Sequence, residues 1–189
     1  AVQKMVPWGL GKTLSTDKYD RSLDILGVGN LTANKQFEVL LRLAAALVPD
    51  FPQLRVVLIG DGDQKPYLWK LAGQLGISTH VTFYGHCSRT AVHEAMAQAR
   101  VLVHPARYEA FGLVYLEALA HGLGIASFAT GIAEPSGQWH VASDEKGLRQ
   151  ATAKLLQEAP FPPATTYPVR HTVADYTRIY QRFAPVSVH

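Results

Sequence analysis

Apolar residues gather in short unbroken runs, and between them apolar and polar positions recur at helical spacing. The runs at 23–29 (LDILGVG), 54–59 (LRVVLI), 80–84, 101–104 and 124–129 are predicted strands. Helices are predicted over about 35–48, 65–75, 90–99 and 111–121, with Pro49 and Pro52 closing the first and Gly76 the second. Strands alternating with helices across short connections predict an α/β fold with a doubly wound, Rossmann-like parallel sheet. Ligands of such sheets bind beyond the carboxyl ends of the strands. Residues 1–21 mix Pro7, Gly9 and Gly11 with polar residues and read as a linker. Residues 22–159 read as the domain, and 160–189 as an extension opened by Pro160-Phe161-Pro162-Pro163 and ending in a helix over about 173–183. No internal repeat or low-complexity stretch is visible.

The fourth strand leads into Tyr108-Glu109-Ala110-Phe111-Gly112-Leu113, and the helix that follows carries Glu117. Gly112 falls where that helix begins, so free backbone N–H groups of Phe111, Gly112 and Leu113 are expected to point past the strand end. Such a terminus favours an anionic or hydroxyl-rich ligand. Helical spacing turns Leu113, Leu116 and Ala120 toward the sheet, with Glu117 on the flank beside Leu113. Glu109, in the entry loop, then borders the same crevice. For an arbitrary pair of glutamates the plainer reading is two solvated charges, because acidic side chains are mostly exposed.

The surrounding residues favour the sharper reading. Glu109, Phe111, Gly112, Leu113, Glu117, Ala118, Ala120 and Gly122 stand at fixed spacing. Together they resemble the E-x-F-G-(I/L)-x-x-x-E-A-x-A-x-G signature of retaining GT-B glycosyltransferases, family 4 (glycosyl transferases group 1). Val6-Pro7-Trp8-Gly9-Leu10 resembles the segment that joins the two domains of these enzymes. The resemblance spans nearly the whole chain but only the C-terminal, nucleotide-sugar-binding half of the GT-B architecture; the acceptor-binding half is absent.

The family pattern G-R-L-x-x-x-K-G near the donor diphosphate reads here Gly29-Asn30-Leu31-Thr32-Ala33-Asn34-Lys35-Gln36. Lys35 aligns with the family lysine. Asn30 stands in place of the arginine, and an amide can hydrogen-bond a phosphate without bringing charge. Gln36 replaces the final glycine. After the third strand, Gly85-His86-Cys87-Ser88-Arg89 occupies the place where the family holds the nucleobase, which makes His86, Cys87 and Arg89 candidates for the base edge or phosphate. His104 and Arg107 also approach the crevice, although a histidine closing an apolar strand reads first as a core residue. Ala106 and Gly124 stand where the family commonly has serine and proline.

The resemblance implies a donor-binding domain that takes a nucleoside-diphosphate sugar, UDP- or GDP-linked, and supports α-retaining transfer to a glycan or lipid-linked acceptor. It implies Glu109 on sugar hydroxyls, Glu117 on ribose hydroxyls, main-chain N–H groups of Phe111, Gly112 and Leu113 on sugar and distal phosphate, and Lys35 as countercharge. No metal or other cofactor is expected, because a helix terminus and a lysine can stabilise a leaving diphosphate. Alone, the chain is expected to transfer no sugar, since the acceptor arrives through the absent N-terminal domain.

Three other motifs compete. Gly11-Lys12-Thr13 ends like a P-loop, but Val6 stands where that motif needs glycine and no strand precedes it. Asp61-Gly62-Asp63 matches a short metal–diphosphate pattern, yet equally suits a turn after a buried strand. Gly27-Val28-Gly29-Asn30-Leu31-Thr32 follows a strand as a dinucleotide fingerprint should, but Thr32 replaces the last glycine. A nicotinamide-dependent oxidoreductase domain and a non-catalytic nucleotide-sugar-binding module therefore remain the alternatives.

Composition narrows these classes little. The 189 residues are 48% hydrophobic and 17% charged, with net charge +3. That is an ordinary globular composition, and the mild basic excess permits binding of a diphosphate or an anionic membrane surface without demanding either. Nucleic acid is not an expected partner. One cysteine, Cys87, rules out an internal disulfide and suits a reducing compartment. No stretch has a signal-peptide layout or enough apolar length to span a bilayer. The expected setting is the cytoplasm, including the inner face of the membrane.

Overall fold

The computed structural model describes residues 21–164, so the linker motifs, Gly11-Lys12-Thr13 and the expected 173–183 helix lie outside the described residues. Six strands form one parallel sheet: β1 (Leu23–Val28), β2 (Val56–Ile59), β3 (Val81–Gly85), β4 (Ala99–His104), β5 (Gly124–Phe128) and β6 (Trp139–Ala142). Their order is β3-β2-β1-β4-β5-β6, the doubly wound arrangement. The helices are α1 (Phe37–Leu47), α2 (Lys65–Gln74), α3 (Arg89–Gln98), α4 (Leu113–Ala120) and α5 (Glu145–Glu158).

Apolar material lies on both faces of the sheet, which is why its strands read as continuous runs instead of alternating ones. Ile25, Val56, Leu58, Val101 and Val103 face α1, α2 and α5, where Leu40, Leu68, Leu148 and Leu155 complete one core. Their neighbours Leu26, Val57, Ile59 and Leu102 face the other way, onto Met96 of α3 and Tyr115, Ala118 and Leu119 of α4. Adjacent residues thus serve opposite layers, as the two-residue period of a strand requires.

Two elements have no counterpart in the sequence reading. β6 is a four-residue edge strand, too short to stand out, although Trp139 is buried and its indole N–H donates to Ser127 Oγ at 2.9 Å. α5 does carry a helical signature. Asp144 caps it by accepting from Gly147 N–H at 2.6 Å, and Leu148, Ala151, Thr152, Leu155 and Leu156 bury one face.

The expected face of α4 is corrected. Tyr115, Ala118 and Leu119 are buried, whereas Leu113 is 63% exposed and Ala120 is exposed. Apolar residues nearly encircle this helix, so hydrophobicity alone did not set its rotation. The bulk of Tyr115 and the bond from its hydroxyl to Thr130 Oγ1 at 2.9 Å do. Glu117 then falls on the outer side with Leu113, its flank as expected.

Candidate functional site

β1 and β4 are neighbours in the sheet, yet the chain leaves β1 toward α1 and β4 toward α4, on opposite faces. The crevice between the two departing loops is the topological switch point. The loops are stitched together there. Arg107 N–H donates to Asn34 carbonyl oxygen at 2.9 Å, and Asn34 Nδ2 donates to Tyr108 carbonyl oxygen at 3.0 Å.

Lys35 sits in a short 3-10 turn, Ala33–Lys35, and its aliphatic stem folds back over the backbone of Gly29. Its ammonium pairs with Oε1 of Glu109, which brings together the two residues of the expected countercharge and sugar contacts. His104 joins them: its Nε2 lies 2.6 Å from the same Oε1. The imidazole is 1% exposed, so the core reading of His104 is correct and incomplete. Sequence spacing gave no sign of the contact, because the loop that carries Glu109 turns back over the strand end.

Burial pushes the Glu109 carboxyl up, but bonds from Lys35 and His104 outweigh it and hold the group below its ordinary value. For His104 burial prevails over the attraction of Glu109, and the imidazole sits below its ordinary value. At neutral pH Glu109 is therefore a carboxylate and His104 a neutral imidazole.

The loop after Glu109 reaches α4 through Gly112, whose φ of 85° is the left-handed region. A Cβ there would lie 2.5 Å from the Tyr115 ring, so both conformation and space call for glycine. No side chain caps α4 and no acid lies in its first turn, so its N-terminal amides have no capping side chain among the described residues. α3, by contrast, is capped by Ser88, whose Oγ accepts from Ala91 N–H. Phe111 is 45% exposed at the mouth, and Ile132 N–H holds its carbonyl at 3.0 Å.

Glu117 belongs to a second cluster. Arg89 Nη2 donates to its Oε1 at 3.1 Å, and His93 Nε2 lies 3.9 Å away. His93 Nδ1 is in turn 3.0 Å from His121 Nε2. The expected base-edge residue Arg89 thus meets the expected ribose residue, while His93 and His121 were not foreseen. His93 follows Arg89 by one helical turn, a spacing legible in the sequence. Asn30 and His86 are exposed, and Cys87 is half-buried with Sγ turned to Gly85 carbonyl oxygen. Gln36 has φ 48°, the left-handed conformation that explains glycine in the pattern it departs from. With its side-chain oxygen and nitrogen assigned in the orientation that satisfies both, its amide donates to Pro105 carbonyl oxygen at 3.2 Å and accepts from Arg107 Nε at 3.1 Å.

Asp61 forms a turn: its Oδ1 accepts from Gly62 N–H and its Oδ2 from Lys65 Nζ, both at 2.9 Å. Gly27 is close-packed, since a Cβ there would meet the side chains of Leu58, Leu40 and Phe37 at 2.5–3.0 Å.

Comparison with known proteins decides the family. The model of the glycosyl transferases group 1 matches residues 15–149. The chain belongs to this family. It is 32% identical over 152 residues to the lipopolysaccharide glucosyltransferase WaaG of Escherichia coli, a match covering 72% of this chain and 38% of WaaG. Against the crystal structure of WaaG, a glycosyltransferase involved in lipopolysaccharide biosynthesis, the TM-score is 0.64 at 27% identity, over 73% of this chain and 39% of that one. A pneumococcal O-GlcNAc transferase, GtfA, solved with UDP and GlcNAc, shares the fold at 20% identity and TM-score 0.62, over 72% of this chain and 29% of that one. The chain spans between 23% and 40% of the length of eight curated relatives it matches. Its sheet is the Rossmann-like half of a GT-B fold.

Proposed function

We propose that this chain is the donor-binding domain of a retaining glycosyltransferase that moves a sugar from a nucleoside-diphosphate sugar to a glycan or lipid-linked acceptor. The meeting of Lys35 and Glu109 at the switch point, beside the uncapped start of α4, carries this reading. Family membership supports sugar transfer, and UDP, the nucleotide bound by the pneumococcal neighbour, is the first candidate nucleotide.

In this reading the diphosphate lies against the Gly29–Lys35 loop, Asn30 included, and the α4 terminus, where Phe111, Gly112 and Leu113 offer main-chain donors. Lys35 supplies charge, Glu109 receives sugar hydroxyls, and Glu117 with Arg89 receives the ribose. His86 and Cys87 flank the base. Transfer breaks the bond between the anomeric carbon and phosphate oxygen and forms the acceptor bond on the same face. The leaving oxygen takes the acceptor proton, and the amide dipoles and lysine stabilise its negative charge.

Neither metal nor cofactor takes part in this scheme. The acceptor is presented by a second domain, so the 189 residues alone are inactive, because orientation can account for about 7–11 kcal/mol of such a barrier. Among the described residues no helix is long and apolar enough to cross a membrane. We place the enzyme in the cytoplasm, with peripheral membrane contact where the acceptor is lipid-linked.

A thermal-shift panel of UDP-, GDP- and ADP-sugars with NAD(H), in excess chelator, tests the proposal. A ligand that binds the native state raises the midpoint by mass action. One nucleotide sugar should raise it without added metal and NAD(H) should not. A shift by NAD(H) alone, or one that needs manganese, would contradict the reading.

A further inference from the structure

His104 is a polar ring at a core position. It closes β4 at 1% exposure, and its Nδ1 has no hydrogen-bond partner among the described residues. A buried polar atom left unpaired is unfavourable, and leucine or phenylalanine would fill this space without that defect. The compensation lies at the other nitrogen, 2.6 Å from Glu109 Oε1.

The protonation states fix the direction of that bond. Glu109 is held below its ordinary value, so at neutral pH it is a carboxylate and can only accept. The imidazole is neutral, since burial depresses it. His104 must therefore donate through Nε2–H, which leaves Nδ1 bare and matches its lack of a partner.

The ring is also held in plane. Tyr115 packs edge-on against it, with centroids 5.1 Å apart and planes at 84°. Tyr115 is itself anchored by Thr130 and packed against Trp139 at 4.7 Å. Both donors to Glu109, Lys35 and His104, use Oε1, and neither uses Oε2.

We propose that His104 is a positioning residue, whose Nε2–H pins Oε1 of Glu109 so that Oε2 stays turned to the crevice for a sugar hydroxyl. The proposal rests on the reading of Glu109 as the sugar contact. It explains why two donors share one oxygen. An arriving diphosphate competes for Lys35, and the buried histidine then keeps the carboxylate in place.

Two measurements test this. Long-range nitrogen–proton NMR on the unliganded chain should show His104 as the neutral Nε2–H tautomer at pH 7.5. An Nδ1–H tautomer, which leaves Nε2 with no proton to donate, would overturn the proposal without touching the donor reading. Calorimetry then uses the tightest-binding nucleotide sugar of the panel, UDP-glucose first, and its nucleoside diphosphate. In variants that circular dichroism shows folded, His104→Leu should weaken the conjugate at least five-fold and the diphosphate less than two-fold. His104→Gln, which keeps a donor at similar reach, should restore most of the loss. In a Glu109→Gln background His104→Leu should add less than two-fold. Equal weakening of both ligands, no weakening of either, or full additivity with Glu109→Gln would overturn it. If no panel member binds the wild type, the donor reading fails and the proposal with it, while the tautomer still reports whether the contact exists.

Discussion

Three titratable side chains share a consequence at the residue scale. His104 and His121 sit below their ordinary values, first through desolvation, His104 as a buried and His121 as a half-buried side chain; for His121 the neighbouring His93 and Arg21 add to the effect. Glu109 is also low, because its two donors outweigh burial. Each group binds its proton more weakly folded than unfolded, so the unfolded chain holds more protons on acidification and stability falls with pH. Loss should begin near the free histidine value of about 6.5 and continue below about 4.5 as the carboxylate contributes. Melting temperatures from pH 8 to 4.5 should be flat above about pH 7 and decline below it. His104→Gln should flatten the decline between about pH 6.5 and 5. A chain that gains stability toward pH 5 would show that these groups are not held as described.

At the scale of elements, the entry to α1 shows how a departure from a pattern can be compensated. Gln36 occupies a left-handed conformation that costs a residue with a Cβ about 1–2 kcal/mol. Its amide bridges the β1 and β4 loops in return. Gln36→Gly relieves the conformation and loses the bridge, while Gln36→Ala loses the bridge and keeps the conformation. By urea unfolding the alanine variant should be less stable than the glycine one by about 1 kcal/mol. That reverses the usual order, in which alanine stabilises through the unfolded chain. The glycine preference was legible in the sequence as a motif, but its cause became visible only as a φ angle. Strand runs and helix spacing gave five strands and four helices because burial on both faces writes long apolar runs. The rotation of α4 was not legible, since a helix apolar nearly all round has no phase. β6 escaped because four residues at a sheet edge leave too little pattern.

At the scale of the whole molecule, the strand order puts the β1 and β4 loops side by side, and that juxtaposition makes Lys35 and Glu109 neighbours across a long stretch of chain. The sequence named both residues through spacing and resemblance. It brought His104 near the crevice but not onto Glu109, because a bond between a strand end and a returning loop leaves no periodic trace. Nor did it supply the Arg89–Glu117 contact, which depends on α3 and α4 covering the same face. The two carboxylates thus stand in separate settings: Glu109 with Lys35 and His104, Glu117 with Arg89 and His93. The central claim is that they serve separate parts of one ligand. Calorimetry on Glu109→Gln and Glu117→Gln, each with UDP and UDP-glucose, tests it most directly. A hydrogen bond to a charged group is worth about 1.5–3 kcal/mol, and part survives in the amide, so each loss should be several-fold. Glu109→Gln should weaken UDP-glucose alone, and Glu117→Gln should weaken both ligands by similar factors. If both folded variants bind both ligands as the wild type does, the two glutamates are surface charges and the account is wrong.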